Sequence, residues 1–391
     1  MRKIIIASDS FKGSLTSMEV AQAAAEGVRM AYPEFETICL EIADGGEGTA
    51  AALTKAMNGE TVEVHVKDPL GRIIKAKYGT AEHDGQKTAI IEMSQASGLT
   101  LLKTSERNPL LTSTYGTGEM ILHAAAKGCR RFLIGIGGSA TNDGGTGMLE
   151  ALGFRFYDIN GNPISGLCGE KLAEIESIDT SSIPREISES EFIIACDVDT
   201  PFCGPEGAAA VFGPQKGATS ETVSLLESGM QNLYKVINNS FGIDLCSIKS
   251  SGAAGGLGGA FKAFLNARLD KGIDMVLDSI GFENFIKDAD LIITGEGRID
   301  SQTSKGKVIS GIVSRAEAYK IPVIAIAGIV DLDQKEIMQT GLAAACPVGP
   351  RPQNESDLRH AMRPEVASRN ISETVTKALV SLSPSLFREN L

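Results

Sequence analysis

Apolar residues near the start of the chain follow a strand pattern and then a helix pattern. Residues 4–7 form a short run of β-branched and small apolar side chains, and the polar loop DSFKG follows it. A buried parallel strand that leads into a turn has this pattern. Thr16 with Glu19 three residues later forms a capping box, and apolar residues then recur at helical spacing until Pro33. The sequence therefore predicts a strand, a loop and a helix.

The same order of strand, polar loop and helix recurs along the chain. Residues 37–43 predict a second strand, which ends in the loop DGGEGT before an alanine-rich helix. Two later apolar runs, at 290–294 and 322–327, end in the loops GEGRID and GIVDLD, and a helical stretch follows each. Alternating strands and helices of this kind predict a parallel sheet with helices on its faces.

The middle of the chain has a different pattern. From about residue 62, short alternating segments separated by turns such as DPLGR predict antiparallel hairpins. Further strands are predicted at 132–136 and 192–195. We therefore predict an α/β fold in which a doubly wound parallel-sheet domain is interrupted by an inserted mixed α/β domain. The first domain is expected to comprise residues 1–66 and 284–391, and the inserted domain residues 67–283.

The overall charge favours small molecules as partners. The chain has 391 residues and a formal net charge of −12. Nucleic acid and anionic membranes require a basic face, so neither is expected to bind. No apolar run approaches the ~20 residues of a membrane span, and the first residues lack the core of a signal peptide. Seven cysteines are scattered without metal-binding spacing. We expect a cytoplasmic protein with reduced thiols, and the sequence leaves a homo-oligomer open.

The polar loops contain the groups that phosphoryl transfer requires. In parallel α/β sheets, ligands bind at the carboxyl ends of the strands, where these loops are predicted to lie. Phosphoryl transfer needs backbone N–H groups and cations for phosphate, a carboxylate for magnesium and another carboxylate to position the attacking hydroxyl. Glycine-rich loops are found at 44–49, 137–147 and 252–259. The candidate cations are Lys12, Lys216, Arg298 and Lys307, and the candidate carboxylates are Asp9, Asp44, Glu47, Asp143, Asp197 and Glu296.

Several catalytic motifs are absent from the sequence. The chain has no GxxxxGK[ST] and no GxSxG, so it is neither a P-loop protein nor a hydrolase with a nucleophile elbow. The four histidines lie outside the glycine-rich loops, and each is expected to be structural or on the surface. General acid–base chemistry is therefore assigned to carboxylates.

Other interpretations of these residues stay open. Gly135, Gly137 and Ala140 after a strand, with Asp158 further on, form a loose dinucleotide fingerprint that would suit an oxidoreductase of a small hydroxy acid. A non-catalytic sensor that closes on a small acid is a second alternative. The glycines could also serve only turns, and those at 252–259 could allow close packing of a helix.

The loops taken together resemble those of the bacterial glycerate kinase family, the group distinct from P-loop kinases. The resemblance rests on DSFKGSL at 9–15, ADGGEGT at 43–49, STYGTGEMI at 113–121, IGIGGSATNDGGTGMLEALG at 134–153, ACDVDTPFCGPEGAAAVFGPQKGA at 195–218, GAAGGLGGA at 252–260 and TGEGRIDSQTSKGKV at 294–308. It implies a flavodoxin-like domain with an inserted second domain, ATP as donor, Mg²⁺ as cofactor and D-glycerate as acceptor. It also implies phosphorylation at the 2-hydroxyl more than at the 3-hydroxyl.

The roles of individual residues follow from the chemistry of the loops. Asp197 is the predicted general base because it ends an apolar strand outside a glycine run, where a side chain is better fixed, and Lys12 is the predicted phosphate-binding cation of the catalytic pair. The predicted substrate-binding residues are Asp9, Ser10, Asp44, Gly45, Gly46, Glu47 and Arg298. The predicted nucleotide-binding residues are Gly137, Gly138, Ser139, Asn142, Asp143, Gly144, Gly145, Lys216 and Glu296. Magnesium is assigned to Asp44 and Asp143, and the active site is expected in a cleft between the two domains.

Overall fold

The computed structural model describes residues 2–43, 48–83, 85–300 and 307–386. The chain divides into two compact units. Unit 1 comprises Met1–Asp44 and Val276–Leu391, and unit 2 comprises Gly45–Met275. None of the helices within the described ranges combines the length and the apolar character needed to cross a membrane.

The strands of the described residues are numbered in chain order. They are β1 (Lys3–Ser8), β2 (Glu36–Glu41), β3 (Glu60–Lys67), β4 (Ile73–His83), β5 (Gln86–Glu92), β6 (Arg131–Gly135), β7 (Arg155–Tyr157), β8 (Pro163–Ile164), β9 (Ser177–Asp179), β10 (Glu191–Ala195), β11 (Arg268–Asp270), β12 (Leu291–Ile299), β13 (Val323–Val330) and β14 (Ala344–Pro347).

The α-helices are numbered in the same way. They are α1 (Ser17–Ala31), α2 (Thr49–Ala56), α3 (Ser94–Ser97), α4 (Tyr115–Ala126), α5 (Thr146–Ala151), α6 (Arg185–Ser188), α7 (Ala208–Phe212), α8 (Ser220–Phe241), α9 (Ala253–Leu265), α10 (Gly272–Ser279), α11 (Phe282–Ile286), α12 (Lys307–Tyr319), α13 (Gln334–Gln339), α14 (Glu355–Ala361) and α15 (Pro364–Leu386). Short 3₁₀ turns occur at Leu99–Leu101, Thr104–Glu106, Gly169–Glu174, Pro214–Lys216 and Leu245–Ser247.

Unit 1 is built on a five-stranded sheet in the order β14-β13-β12-β1-β2, in which all pairs are parallel. This is the strand order of flavodoxin-like folds, so the predicted fold class is confirmed. Ile4, Ile5 and Ile6 are consecutive in β1 and all are fully buried. Because neighbouring strand residues point to opposite faces, both faces of this sheet are covered. The order reverses between β1 and β12, which defines the switch point where open α/β sheets bind ligands.

Helix α1 begins as the sequence predicts. Thr16 and Glu19 form the capping box, with the Glu19 backbone N–H donating to the Thr16 hydroxyl at 3.3 Å and the Thr16 backbone N–H donating to the Glu19 carboxylate at 2.8 Å. The helix packs against α15 of the same unit. Gly27 permits this close approach, because a Cβ there would lie 2.4 Å from the carbonyl oxygen of Ser372.

Unit 2 contains a six-stranded mixed sheet in the order β11-β10-β6-β5-β4-β3. Strands β11, β10, β6 and β5 are parallel, whereas β5, β4 and β3 are antiparallel neighbours, as the hairpin pattern predicts. A second sheet of three short strands has the order β8-β7-β9.

The boundaries between the two units lie at other positions in the sequence than predicted. The predicted boundaries followed residues 66 and 283, whereas the structural division follows Asp44 and Met275. Strand β3 pairs with β4, and α2 is tied to β5 by a 2.9 Å hydrogen bond from the Ala50 backbone N–H to the Glu92 carboxylate. Both elements therefore belong to unit 2. The alternating pattern of a strand and a helix predicts the elements but not which sheet they join.

Candidate active site

The switch point of unit 1 places β1 and β12 side by side. Ile6 is in register with Ile293, and the Asp9 backbone N–H donates to the Gly295 carbonyl at 2.9 Å. The same register continued along the strands places Asp9 beside Glu296. The carboxylate at position 9, directly after β1, and the carboxylate at position 296 in β12 thus lie at the edge where ligands bind.

Strand β12 is longer than predicted. The sequence pattern placed its end at residue 294 and assigned GEGRID to a loop, whereas β12 continues to Ile299 by pairing Arg298 with Ile329 of β13. Glu296 and Arg298 are therefore two residues apart on a strand and point to the same face.

A cavity of about 360 Å³ opens at this edge of unit 1. Five of the predicted site residues line it: Asp9, Ser10, Lys12, Glu296 and Arg298. Its other lining residues are Phe11, Ser14, Gly297, Gly328, Ile329, Val348, Pro350, Pro352, Leu358, Ala361, Met362 and Ala367. The apolar part is not predicted from the sequence, where its one local signal is the proline-rich loop of residues 347–352.

Ion pairs and hydrogen bonds fix the charged side of the cavity. The Asp9 carboxylate accepts the backbone N–H of Ser10 at 2.6 Å. The Arg298 guanidinium donates to the Asp331 carboxylate at 2.5 and 3.0 Å, and Arg351 pairs with Asp331 at 2.9 Å. The Arg298 guanidinium holds the pKa of Asp331 below its usual value. Arg298 is thus held by a carboxylate, while Lys12 is exposed on the loop after β1.

Asp143 of unit 2 lies in the protein interior. One carboxylate oxygen accepts the backbone N–H and the hydroxyl of Thr114, each at 2.7 Å, and the backbone N–H of Gly147 at 3.3 Å. The other oxygen accepts the backbone N–H of Gly145 at 3.2 Å. Burial raises the pKa of Asp143, although these hydrogen bonds oppose the shift. The predicted metal role of Asp143 does not fit, because internal donors surround the buried carboxylate.

Lys216 is likewise buried. Its ammonium group donates to the Ser139 hydroxyl at 2.7 Å and to the Thr141 carbonyl at 2.6 Å. Burial lowers the pKa of Lys216 to about 7. The neighbouring Asn142 is fully buried, and neither polar atom of its side chain has a hydrogen-bond partner. Internal acceptors thus hold the ammonium group of Lys216, whereas the nucleotide contact of Asn142 stays a prediction.

The glycines that follow Asp143 serve packing. A Cβ at Gly144 would lie 2.4 Å from the Leu233 side chain, and one at Gly145 would lie 2.5 Å from Ala260 of α9. The Gly144 backbone N–H also donates to the Gly255 carbonyl at 2.9 Å. The two glycine-rich segments of unit 2 therefore pack against each other, and the prediction that Gly144 and Gly145 bind a nucleotide is corrected. Close packing, one of the open alternatives, describes this part of the chain.

The predicted site residues that are exposed in unit 2 lie in the loops after β6 and β10. Gly135 is in register with Ala195, so Gly137 and Asp197 each follow the paired residues by two positions. Gly137, Gly138 and Asp197 are exposed, whereas Ser139 is buried. The Asp197 carboxylate accepts the backbone N–H of Gly272 at 3.0 Å, which fixes one of its oxygens at the start of α10.

Some predicted residues cannot be placed. Asp44, Gly45, Gly46 and Glu47 lie outside the described residues. Among the described residues, no group of three histidine, cysteine or carboxylate side chains is arranged to hold a metal ion. The dinucleotide fingerprint at 135–140 lacks its helix, since α5 begins only at Thr146.

The parallel sheet and the mixed polar and apolar cavity at its switch point are typical of an α/β protein that binds a small ligand. The sequence model of the glycerate kinase family matches residues 4–382, and the chain belongs to this family. It is accordingly a phosphotransferase.

The similarity to individual relatives extends over nearly the whole chain. A glycerate kinase of Halalkalibacterium halodurans is 44% identical over 95% of this chain and 98% of its own length. The glycerate 2-kinase of Escherichia coli is 44% identical over 88% of this chain and 89% of its own length. A crystal structure from Salmonella typhimurium LT2, provisionally described as glycerate kinase 2, has a TM-score of 0.85 and 42% identity, and the match covers 98% of both chains.

Proposed function

We propose that this protein transfers the γ-phosphoryl group of ATP to the 2-hydroxyl of D-glycerate and forms 2-phosphoglycerate. The observation that carries the proposal is the cavity of unit 1, where Lys12 and Arg298 stand with Asp9 and Glu296 at a switch point. Cations and carboxylates together are what phosphoryl transfer requires, since the protein must hold charge and position the reactants. Membership of the glycerate kinase family and the names of the relatives support the acceptor.

The same residues fit a magnesium ion. Magnesium prefers oxygen ligands and is commonly held by one or two carboxylates together with substrate phosphates. Asp9, directly after β1, and Glu296 in the adjacent β12 supply such a pair, and both line the cavity. We therefore propose these two residues as the magnesium ligands in unit 1, in place of Asp143. When bound, the ion would neutralise charge on the phosphates of the donor.

Asp197 remains our proposed general base. Its hydrogen bond from Gly272 orients the carboxylate, which would accept the proton of the glycerate hydroxyl. Lys12 would hold the transferred phosphoryl group by charge-assisted hydrogen bonds. The cleft between the two domains stays a prediction, and compaction in small-angle scattering with both substrates would support it. A cytoplasmic location and a homo-oligomer are likewise expectations from the sequence.

An activity assay tests the proposal directly. Purified protein is expected to consume ATP only when D-glycerate and Mg²⁺ are both present. Phosphorus NMR of the product separates the 2-phosphate from the 3-phosphate. A change in NAD(P)H absorbance would indicate the oxidoreductase alternative, and glycerate binding without turnover would indicate a sensor; either result would reject the kinase.

A further inference from the structure

The cavity of unit 1 has two chemically different sides. Its polar side is formed by the loop after β1 and by the end of β12. Its apolar side is formed by the segment from the end of β14 to the start of α15, through Val348, Pro350, Pro352, Leu358, Ala361 and Met362. Leu358 retains 40% of its accessible surface, so part of this wall is open to solvent. Cavities of roughly 300–1,000 Å³ with mainly apolar walls and a few polar groups are typical of sites for ligands of drug size.

We propose that this apolar wall holds the purine base of the nucleotide, so that unit 1 is the nucleotide-binding half of the enzyme. The proposal rests on the kinase function proposed above and reverses the prediction that Asp9, Ser10 and Arg298 bind glycerate. It also makes Leu358 and Met362 determinants of donor binding. Neither residue belongs to any segment that the sequence analysis singled out.

The chemistry of the two substrates favours this assignment. Glycerate is a three-carbon acid with a carboxylate and two hydroxyls, and burying such groups against an apolar wall costs free energy because they lose their hydrogen bonds to water. A purine presents two flat faces that gain from leaving water. The ribose and the phosphates attached to it can then extend to Lys12 and to the carboxylates on the polar side. A nucleotide therefore satisfies both sides of the cavity, whereas glycerate satisfies only one.

Unit 2 offers polar groups in the loops after β6 and β10. The space beside Gly144 is filled by Leu233, and the space beside Gly145 is filled by α9. These glycines therefore leave no room there for phosphates. Of the predicted site residues described in unit 2, the exposed ones are Gly137, Gly138 and Asp197, in the loops after the paired strands β6 and β10. Two backbone amides and one carboxylate suit a small hydroxy acid, with the amides on its carboxylate and Asp197 at its hydroxyl. The two units thus divide the substrates in the opposite way to the sequence prediction.

Two glycines allow a matched test. A Cβ at Gly297, which lines the cavity, or at Gly137 would have no neighbouring atom within 4 Å, and neither backbone is left-handed. Both backbones therefore accept a Cβ without a clash. Gly297→Leu adds a side chain at the cavity of unit 1, whereas Gly137→Leu adds one at the exposed end of β6. Calorimetry of the full-length variants would measure the binding of magnesium complexes of AMP-PNP and tripolyphosphate, and of D-glycerate.

The two glycine variants should each weaken the binding of a different substrate. Gly297→Leu should weaken AMP-PNP binding by about tenfold or more and leave glycerate binding unchanged, while Gly137→Leu should do the reverse. Leu358→Asn, at an exposed position, should weaken AMP-PNP but not tripolyphosphate, because only the nucleotide carries a base.

Each other outcome has a defined meaning. Loss of glycerate binding with intact AMP-PNP binding in Gly297→Leu would overturn the assignment while leaving the kinase activity standing. Equal loss of AMP-PNP and tripolyphosphate binding in Leu358→Asn would show that the wall does not hold the base. If the parent protein transfers no phosphoryl group from ATP to D-glycerate, the proposed function itself is wrong.

Discussion

The ammonium group of Lys216 donates to the hydroxyl of Ser139 at 2.7 Å in the interior of unit 2. The two residues are 77 positions apart in the chain, so the hydrogen bond joins the loop after β6 to the short 3₁₀ turn before α8. Lys216 is 2% exposed and Ser139 is 8% exposed. A lysine in this position contributes to the structure of unit 2, and its titration should be visible in the stability of the protein.

The pKa of Lys216 predicts a dependence of stability on pH. The group is charged in both states below about pH 7 and neutral in both above its ordinary value of 10.5. Between these limits the unfolded chain binds a proton that the folded chain has lost, so the free energy of unfolding rises with pH. The contribution should be on the order of a few kcal/mol across this window. Urea unfolding of the parent and of Lys216→Met at several pH values should show a smaller slope of stability with pH in the variant; equal slopes would contradict the lowered pKa.

Asp143→Asn should destabilise the protein without changing its need for magnesium. The amide can accept through one oxygen only, so donors of Thr114, Gly145 or Gly147 lose their partner. The expected cost is about 1–3 kcal/mol, measured by denaturant unfolding. Asp158→Asn, in an exposed turn, is the control and should cost less because water replaces the lost hydrogen bonds. Unchanged stability with a raised magnesium requirement would restore Asp143 as a metal ligand.

Lys12→Ala should lower kcat/KM by roughly ten- to a hundredfold, because it removes a charge-assisted contact worth ~1.5–3 kcal/mol. Stability should change little, since Lys12 is exposed. Lys235→Ala removes the same charge from an exposed position on α8 and should leave the kinetics unchanged. Kinetics of Lys12→Ala within a factor of about two of the parent would mean that Lys12 is only a surface residue.

Asp197→Asn should reduce kcat by about two to four orders of magnitude while nucleotide affinity stays nearly unchanged. The asparagine oxygen can still accept the Gly272 N–H, so the loop should keep its position. Asp199→Asn is a matched control in the same loop, where the carboxylate only pairs with exposed Lys249 at 3.4 Å. Full turnover of Asp197→Asn at a higher magnesium concentration would instead identify Asp197 as a metal-site residue.

Local patterns in the sequence determined the elements and the edge at which the site lies. The β-branched run of β1, the capping box of α1 and the polar loops after β1 and β12 are properties of neighbouring residues, and periodicity reports them directly. These signals placed Asp9, Lys12, Glu296 and Arg298 at one edge of one sheet, where the structure brings them together around a cavity.

Only the tertiary structure decided what the glycine-rich segments and the remaining charges do. A glycine that meets a ligand and a glycine that meets a helix look the same in sequence, and it is the 2.5 Å approach to Ala260 that makes Gly145 a packing residue. The sequence predicts a magnesium ligand at Asp143, but its carboxylate is buried, and two of its donors belong to Thr114, 29 residues away. The apolar wall around Leu358 escaped notice for the same reason. The residues of this wall and the loop after β1 are far apart in the chain, and folding brings them to the same cavity. Burial and charge compensation depend on such contacts, so local patterns do not report them.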